Sequence, residues 1–310
     1  MFRGVGTALI TPFKTNYEVD YDALKTIVRY QIAGGVDALI ILGTTGEAPV
    51  INNYEREKII STVMETVSER IKVIVGTGTN NTKHVVEMNE QAEKYDIDGV
   101  LIVNPYYNKG TQASLIEHYG YIAERTSLPI LLYNVPSRTG MNVLPETVLE
   151  IHERYSNVVG IKEASGNISQ IAHLFSIKPD SFSVFSGNDD QTLPILSLGA
   201  DGEISVFSNA FPSEKVKLID AILNDDYDAA RDFQCKQAKM VSLLFAETNP
   251  SPVKFLMSEL GFCKNVLRLP LSKVSSKTQE LIREEIKKSL YKIYKPEKYN
   301  SKKISLLKVS

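Results

Sequence analysis

The sequence predicts a closed (β/α)8 barrel, a TIM barrel, followed by a C-terminal helical extension. Eight short apolar runs recur along the chain, and most are near-continuous in Val, Ile and Leu. Such runs are typical of parallel strands that are covered on both faces. Amphipathic helical patterns lie between them, and the run starts are roughly 20 to 35 residues apart, as in βα units.

The elements support this fold in chain order. The first helical pattern places Leu24, Ile27 and Val28 on one face, and a Gly-Gly pair ends it. Eight βα units indicate a closed barrel. An open doubly wound sheet is the alternative, weakened because no G-x-G-x-x-G follows the first strand. The predicted strands lie within 4–13, 37–47, 72–81, 99–108, 129–140, 158–167, 182–190 and 202–212.

The rest of the chain is predicted to be a helical extension and a tail. We assign residues 1–212 to the barrel that carries the active site. Three further helical patterns place the extension at 213–293. The basic, unpatterned residues 294–310 are predicted to be a flexible tail.

The bulk composition excludes several classes of function. The chain has 310 residues, 43% hydrophobic and 23% charged, with a formal net charge of -2. This balance does not favour nucleic acid or anionic membrane as a partner. No apolar stretch approaches the roughly 20 residues that cross a bilayer, and no secretory signal is recognisable. Cys235 and Cys263 lack metal spacing, so we expect no metal site and a reducing, cytoplasmic setting.

Chemistry in such a barrel lies at the C-terminal ends of the strands. Lys162 ends the sixth apolar run. Taken alone, a lysine there is more often a solvated charge than a catalyst. The fold, however, gathers all the strand ends into one ring, so we expect a single site. Its candidate residues are Thr44, Thr45, Tyr106, Tyr107, Tyr133, Arg138, Lys162, Gly187 and Ile204.

These residue types suit imine chemistry. An unprotonated amine attacks a ketone, and a dry barrel mouth disfavours the ammonium form. Tyr133 can carry protons if a hydroxyl such as that of Thr44 relays to it. Arg138 offers a planar fork to a carboxylate, and the G-T-T-G turn at 43–46 presents N–H groups to an anion. Each residue also has a structural interpretation: Tyr133 as core, Arg138 as a surface turn residue. Because these residues occur together at corresponding strand ends, we favour the functional interpretation over the structural one.

The motifs resemble the dihydrodipicolinate synthase family. This family belongs to the pyruvate-dependent class I aldolases and lyases, which include N-acetylneuraminate lyase. The resemblance covers about residues 2–292 in order. RTG after YNVPS is the best discriminator, because the sialic-acid lyases lack that arginine. The motifs are GTTGE (43–47), PYYN (105–108), YNVPSRTG (133–140), IKEASGN (161–167), SGNDD (186–190) and NPSPVK (249–254).

The resemblance implies a condensation of pyruvate with L-aspartate 4-semialdehyde. The product would be 4-hydroxy-tetrahydrodipicolinate, on the diaminopimelate route to lysine, made without cofactor or metal by a cytoplasmic homotetramer built from tight dimers. The implied roles are imine formation by Lys162, acid–base transfer by Tyr133 with a relay through Thr44 and a neighbouring subunit's Tyr107, pyruvate carboxylate binding by Thr45, semialdehyde binding by Arg138, and pocket lining by Gly187 and the backbone of Ile204.

The sequence departs from this family at two places. Glu203 stands where relatives commonly carry a small or apolar residue, so an acidic group either lies near the pocket floor or points into solvent. In lysine-inhibited relatives, histidines often stand at the positions of Asn53 and Arg56, and a glutamate that receives the effector's ammonium stands at the position of His84. We therefore predict weak or absent inhibition by lysine. The matching effector positions are Ala48, Asn53, Arg56, Asn80, His84 and Tyr106.

Two alternative functions stay open at this point. Another Schiff-base aldolase of the superfamily would cleave a sugar acid or a sialic acid to pyruvate. A barrel that serves only as a binding protein would retain the fold without the chemistry, and the lysine, tyrosine and threonine argue against it.

Overall fold

Eight parallel strands close into a barrel in sequence order, which confirms the predicted fold. The structure is a computed structural model and describes residues 2–68, 70–288, 290–291 and 296–299. Each strand lies within one of the predicted apolar runs. The strands are β1 Gly4–Ala8, β2 Ala38–Ile41, β3 Lys72–Gly76, β4 Gly99–Val103, β5 Ile130–Asn134, β6 Val158–Glu163, β7 Ser183–Ser186 and β8 Gly202–Ser205.

Helices connect the strands and form the outer layer. Local capping signals mark several of their starts: Asn52 and Glu55 form a capping box before the helix Asn53–Val67, for example. The segment between β5 and α6, expected as a turn, contains one short helical turn, α5. The helices are α1 Tyr21–Ala33, α2 Asn53–Val67, α3 Thr82–Ala92, α4 Gln112–Ala123, α5 Pro136–Thr139, α6 Pro145–Arg154, α7 Ile168–Ile177, α8 Thr192–Leu196, α9 Pro212–Leu223, α10 Tyr227–Leu244, α11 Ser251–Glu259 and α12 Ser276–Lys287.

The strands bury side chains on both faces, which explains their continuous apolar runs. Leu39 and Ile41 of β2 face the helices and belong to the larger core. Ile40 of the same strand faces the barrel axis, as the two-residue period of a strand requires. The interior cluster comprises Phe2, Ala8, Ala38, Ile40, Ile74, Leu101, Leu131, Tyr133, Val135, Ala164, Phe185 and Ile204. The barrel is therefore a packed core rather than a pore.

The first helix of the predicted extension belongs to the barrel. Helix α9 follows β8 and packs on β1, so it completes the outer layer of helices. The additional helices are α10, α11 and α12. The boundary predicted at 212/213 therefore falls at the first residue of α9, the last barrel helix.

Part of the predicted tail packs on the barrel. Pro296–Tyr299 form a short 3-10 helix. Tyr299 is 7% exposed, and its ring lies edge-on to that of Tyr30, with centroids 5.3 Å apart. This segment is therefore packed rather than loose. The prediction of a flexible tail otherwise concerns 294–295 and 300–310, which lie outside the described residues.

Two further sequence predictions concern membranes and cysteines. Within the described ranges, no helix is both long and apolar enough to span a bilayer. Cys235 and Cys263 are both free thiols. Burial raises the pKa of the Cys263 thiol to about 12, so this thiol stays protonated and poorly nucleophilic at neutral pH.

Candidate active site

A cavity of about 160 Å³ opens at the C-terminal ends of the strands. It is the smaller of two adjoining cavities at this end of the barrel, and we call it the lysine cavity. The structure brings most of the predicted site residues to its wall. They are Thr44, Thr45, Tyr133, Arg138, Lys162 and Gly187, together with Ala8, Ile40, Gly43, Leu101, Val135, Ser137, Ala164, Asn188, Val206, Phe245 and Asn249.

Lys162 and Tyr133 face each other on adjacent strands. They are register partners between β6 and β5, and Lys162 Nζ lies 4.4 Å from the centroid of the tyrosine ring. Both residues are buried, Lys162 at 5% and Tyr133 at 8% exposure. The barrel thus holds a lysine amine in a shielded position against a phenol, where it can meet a small carbonyl compound.

The next residue along β6 serves the fold instead. Glu163 accepts hydrogen bonds from Asn134 Nδ2 at 3.1 Å and from the Ser165 N–H at 2.7 Å. Burial raises the pKa of this carboxyl, and these hydrogen bonds oppose that effect. Successive residues of a strand point to opposite sides, so Glu163 lies away from the lysine cavity.

Gly187 leaves room for the lysine side chain. A Cβ at this position would lie 2.8 Å from Lys162 Cε and 2.7 Å from Ala164 Cβ. Both separations are shorter than van der Waals contact. Position 187 therefore requires glycine for steric reasons, because a larger residue would displace Lys162, the predicted nucleophile.

The turn at 43–47 presents free backbone donors. The Gly46 N–H donates to Gly43 O and the Glu47 N–H to Thr44 O, both at 3.1 Å. The N–H groups of Thr44 and Thr45 have no acceptor among the described residues. Successive unpaired N–H groups of this kind form a concave anion site. The turn can therefore bind a carboxylate at the wall of the lysine cavity.

A buried ion pair anchors this turn. Leu42 and Glu47 flank it in the left-handed region, with φ of 55° and 56°. Such residues persist where the surroundings determine them. Lys254 Nζ donates to Glu47 Oε1, and the Arg268 N–H donates to Glu47 Oε2 at 3.0 Å. The extension thus fixes the end of the anion-binding turn.

Asn249 connects the extension to two site residues. Its side-chain amide donates to Thr45 Oγ1 at 3.0 Å, and its backbone oxygen accepts from Arg138 Nη2 at 3.2 Å. Asn249 lies in the NPSPVK motif at 249–254, which by itself assigns this residue no role. Its donor lies far along the chain from its acceptor, so local pattern could not reveal the contact.

The second cavity, of about 490 Å³, adjoins the first. It contains most of the predicted effector positions: Ala48, Asn53, Arg56, His84 and Tyr106. Asn80 lines a separate open recess instead. The two cavities share Gly43, Thr44, Leu101, Tyr133, Val135, Arg138 and Asn249.

Arg56 lines the second cavity and has no acidic partner among the residues that the structure describes. It is 5% exposed, and Nη2 donates to Gly76 O at 2.9 Å. Burial lowers the pKa of the guanidinium to about 10, which leaves it positive at neutral pH. His84 Nδ1, at a further substituted effector position, lies 2.9 Å from Glu87 Oε2.

Two predicted residues, Ile204 and Glu203, lie elsewhere than expected, and Tyr107, which was expected to act from a neighbouring subunit, lies outside the cavity of its own chain. Tyr107 is 92% exposed, with φ of 70°, and does not line the lysine cavity. Ile204 is fully buried in the barrel interior, and the cavity wall at the end of β8 comes from Val206. Glu203 lies neither at the pocket floor nor in solvent. It is completely buried beside Lys215.

The side chains at the strand ends suit a carbonyl compound rather than a metal ion. Across the described parts of the chain, no group of three or more His, Cys, Asp or Glu side chains is arranged to hold an ion. The groups at the strand ends are instead an amine, hydroxyls, a guanidinium and backbone amides. This set can form a covalent adduct with a carbonyl carbon and bind the carboxylate next to it.

Fold and site together define a (β/α)8-barrel enzyme with a buried lysine at the end of its sixth strand. The chain belongs to the dihydrodipicolinate synthetase family, whose family model matches residues 1–289.

Individual relatives agree over nearly the whole chain. The 4-hydroxy-tetrahydrodipicolinate synthase of Thermotoga neapolitana is 51% identical over 292 residues, which cover 93% of this chain and 99% of the relative. The crystal structure of dihydrodipicolinate synthase from Thermotoga maritima matches with a TM-score of 0.91 at 50% identity, covering 93% and 99% of the two chains. An enzyme from Cyanidioschyzon merolae with lysine bound matches with a TM-score of 0.89 at 35% identity, covering 92% and 97%.

Proposed function

We propose that this enzyme condenses pyruvate with L-aspartate 4-semialdehyde to give 4-hydroxy-tetrahydrodipicolinate in lysine biosynthesis. Family membership over residues 1–289 and 4-hydroxy-tetrahydrodipicolinate synthases at about 50% identity over 93% of the chain support this reaction. The observation that carries the residue roles is the pairing of the buried Lys162 with Tyr133 beside an anion-binding turn.

The first half of the reaction forms an imine. Lys162 Nζ attacks the keto carbon of pyruvate, and the carbinolamine loses water to form a protonated Schiff base. Tyr133 faces this amine and is assigned the proton transfers, with Thr44 as its relay. The Thr45 hydroxyl and the free amides of the turn bind the pyruvate carboxylate. Loss of a proton from the pyruvate methyl group then gives an enamine.

The second half forms the carbon–carbon bond. The enamine carbon attacks the aldehyde carbon of the semialdehyde, and the aldehyde oxygen takes a proton. The semialdehyde amine then attacks the imine carbon, which closes the ring and releases Lys162. Arg138, at the junction of the two cavities, is assigned the semialdehyde carboxylate, since its planar fork suits bidentate binding.

We expect a second subunit to contribute a residue to the active site. Tyr107 is 92% exposed beside Tyr106, which leaves its phenol available to a second subunit. We assign it to the proton relay of a neighbouring subunit in a homotetramer built from tight dimers. The two free thiols are consistent with a reducing cytoplasm as the setting.

Borohydride trapping tests whether Lys162 forms an imine with pyruvate. Incubation with pyruvate and borohydride should add the mass of the reduced pyruvate adduct at Lys162, located by peptide mass spectrometry. Lys162→Ala should abolish the adduct, whereas Lys178→Ala, which removes a half-buried lysine at the C-terminal end of α7, should leave it intact. An unmodified wild-type lysine would support a non-catalytic binding protein instead.

A coupled assay separates the synthase from a sugar-acid or sialic-acid lyase. Pyruvate plus the semialdehyde should yield a product that a reductase consumes. Arg138→Ala should lower kcat/KM for the semialdehyde by about ten- to a hundredfold, because a hydrogen bond to a charged group contributes about 1.5–3 kcal/mol. Arg125→Ala, an exposed arginine stacked on Tyr121, is the control. Turnover of a sugar acid without condensation would overturn the assignment.

A further inference from the structure

Three ionisable side chains are buried together between the barrel and helix α9. Lys215 Nζ lies 2.9 Å from Asp189 Oδ1 and 3.4 Å from Glu203 Oε2, and none of the three side chains is more than 1% exposed. Thr192 Oγ1 donates to Glu203 Oε2 at 2.6 Å and accepts from Lys215 Nζ at 3.2 Å. We call Asp189, Lys215 and Glu203 the buried triad.

The triad connects to the wall of the lysine cavity through Asp189. The Oδ2 atom of this residue accepts the Val206 N–H at 2.8 Å and the Phe207 N–H at 3.1 Å. Val206 lines the cavity that contains Lys162. The Asp189 carboxylate therefore determines where the backbone after β8 lies relative to the lysine.

The charges of the triad balance only if one carboxyl carries a proton. Two carboxyls face one ammonium, and an uncompensated buried charge is strongly destabilising. The charged or titratable groups that face Glu203 are Asp189, from the loop before α8, and Lys215, from α9. Burial raises the pKa of Glu203 well above its usual value, and the Asp189 charge raises it further against the effect of Lys215.

The pKa of Asp189 is shifted in the opposite direction, below its usual value. Burial alone would raise its pKa, but the Lys215 ammonium and several hydrogen bonds outweigh burial and hold it at about 2. Asp189 is therefore the charged partner of Lys215. Glu203 is the neutral member, and its acid proton is available to the neighbouring carboxylate.

We propose that the buried triad positions the active site: Lys215 neutralises Asp189, Glu203 carries a proton, and the Asp189 carboxylate holds the Val206 and Phe207 backbone at the wall of the lysine cavity. The three members are positioning residues, because none touches the reacting atoms. The kinetic part of the test rests on the proposed imine chemistry, and the pH-dependent part does not.

The first test is Lys215→Met, which removes the compensating charge. We expect pyruvate-dependent borohydride trapping at Lys162, per folded molecule, to slow at least tenfold, with a higher KM for pyruvate and an unchanged KM for the semialdehyde. Lys217→Met is the matched control: Lys217 lies on the same helix, pairs with Glu214 at 2.9 Å and is 52% exposed. Folded Lys215→Met with wild-type trapping would overturn the proposal.

A double variant distinguishes the loss of charge balance from a general folding defect in Lys215→Met. Asp189→Asn combined with Lys215→Met leaves no unpaired charge, and the asparagine oxygen can still accept the two N–H groups. We expect this double variant to recover most of the trapping rate that Lys215→Met alone loses. A double variant as slow as the single one would contradict the positioning role, because charge balance would then not matter.

Glu203→Gln tests the shared proton without any substrate. A folded-state pKa above the unfolded value gives stability that is complete below the unfolded pKa of about 4.3 and is lost as pH rises toward the folded pKa. The melting temperature of the wild type should therefore fall relative to Glu203→Gln as pH rises above about 4.3. A difference that is constant with pH would overturn the assignment of the proton to Glu203. A wild type that forms no imine but shows this pH trend would refute the proposed function alone.

Discussion

Asn249 Nδ2 donates a hydrogen bond of 3.0 Å to Thr45 Oγ1 across 204 positions of the chain. Through this bond, a residue that precedes α11 orients a hydroxyl of the anion-binding turn. The backbone oxygen of the same residue accepts from Arg138. The C-terminal extension therefore contacts both groups assigned to carboxylate binding, which gives it a part in the site as well as in the fold.

Asn249→Ala should weaken pyruvate binding. The variant removes one hydrogen bond to Thr45, and a buried hydrogen bond contributes about 1 kcal/mol. We expect KM for pyruvate to rise about fivefold, while KM for the semialdehyde changes less because the backbone oxygen that meets Arg138 remains. Initial rates with each substrate varied in turn measure this. Asn224→Ala, an exposed asparagine at the end of α9, is the control, and equal effects from the two variants would contradict the prediction.

Gly187→Ala should block imine formation while leaving the barrel folded. The added methyl group would lie 2.8 Å from Lys162 Cε and 2.7 Å from Ala164 Cβ, so the lysine must leave its position. We expect borohydride trapping to fall by at least about tenfold, because a small displacement of a reacting group is costly. Circular dichroism should confirm the fold.

A second variant shows whether the contact with Lys162 or the contact with Ala164 causes the loss of trapping. Ala164→Gly combined with Gly187→Ala relieves the contact with Ala164 but keeps the contact with the lysine. The combined variant should stay inactive. Recovery of trapping would show that displacement of Lys162 is not the cause of the loss.

The sequence predicted the barrel and the centre of the site for physical reasons that are local. Parallel strands covered on both faces require continuous apolar runs, so all eight strands could be found. Lys162 and Tyr133 interrupt such runs at corresponding ends, so their pairing followed from the fold. The barrel geometry alone places the ends of β5 and β6 side by side.

Other features depend on contacts between distant parts of the chain and were not predictable. Glu203 was expected at the pocket floor or in solvent, because its partner Lys215 comes from the next helix and cannot be recognised from sequence. The backbone of Ile204 was expected at the pocket, whereas Val206, just after the end of β8, lines the lysine cavity. The exposure of Tyr107 likewise depends on the backbone conformation of a loop.

Lysine should inhibit this enzyme weakly or not at all. Arg56 is buried and positive where the second cavity would receive an amino acid, and His84 provides no carboxylate for an ammonium group. Like charges repel most strongly where water is excluded. Initial rates with millimolar lysine and titration calorimetry check this, and clear inhibition at low effector concentration would defeat the prediction.

Replacing Arg56 and His84 together should make the enzyme sensitive to inhibition by lysine. Arg56→His combined with His84→Glu removes the buried cation and adds an acceptor for the effector's ammonium. We expect measurable lysine binding and inhibition in this variant. Lys83→Glu changes a charge on the same helix outside the second cavity and should have no such effect. A double variant that stays insensitive would place the determinants elsewhere.

Acid should destabilise the enzyme through His118. This residue is 8% exposed, and its Nδ1 lies 2.9 Å from Thr82 Oγ1, while Nε2 is buried without a partner among the described residues. Burial lowers the pKa of the imidazole to about 4. The unfolded chain has a histidine pKa of about 6.5, so the neutral form is favoured by folding.

The sign of the pH effect follows from these two values. The stabilisation is complete above about pH 6.5 and is lost as pH falls toward about 4, a loss of about 3 kcal/mol in the free energy of unfolding. His118→Gln keeps a hydrogen-bonding side chain but cannot titrate, so its stability should decline less over this range. Denaturant titrations at stepped pH measure the difference. His84→Gln, at a partly exposed histidine beside Glu87, should retain the wild-type slope, and a His118→Gln curve parallel to the wild type would exclude His118 as the acid-sensitive group.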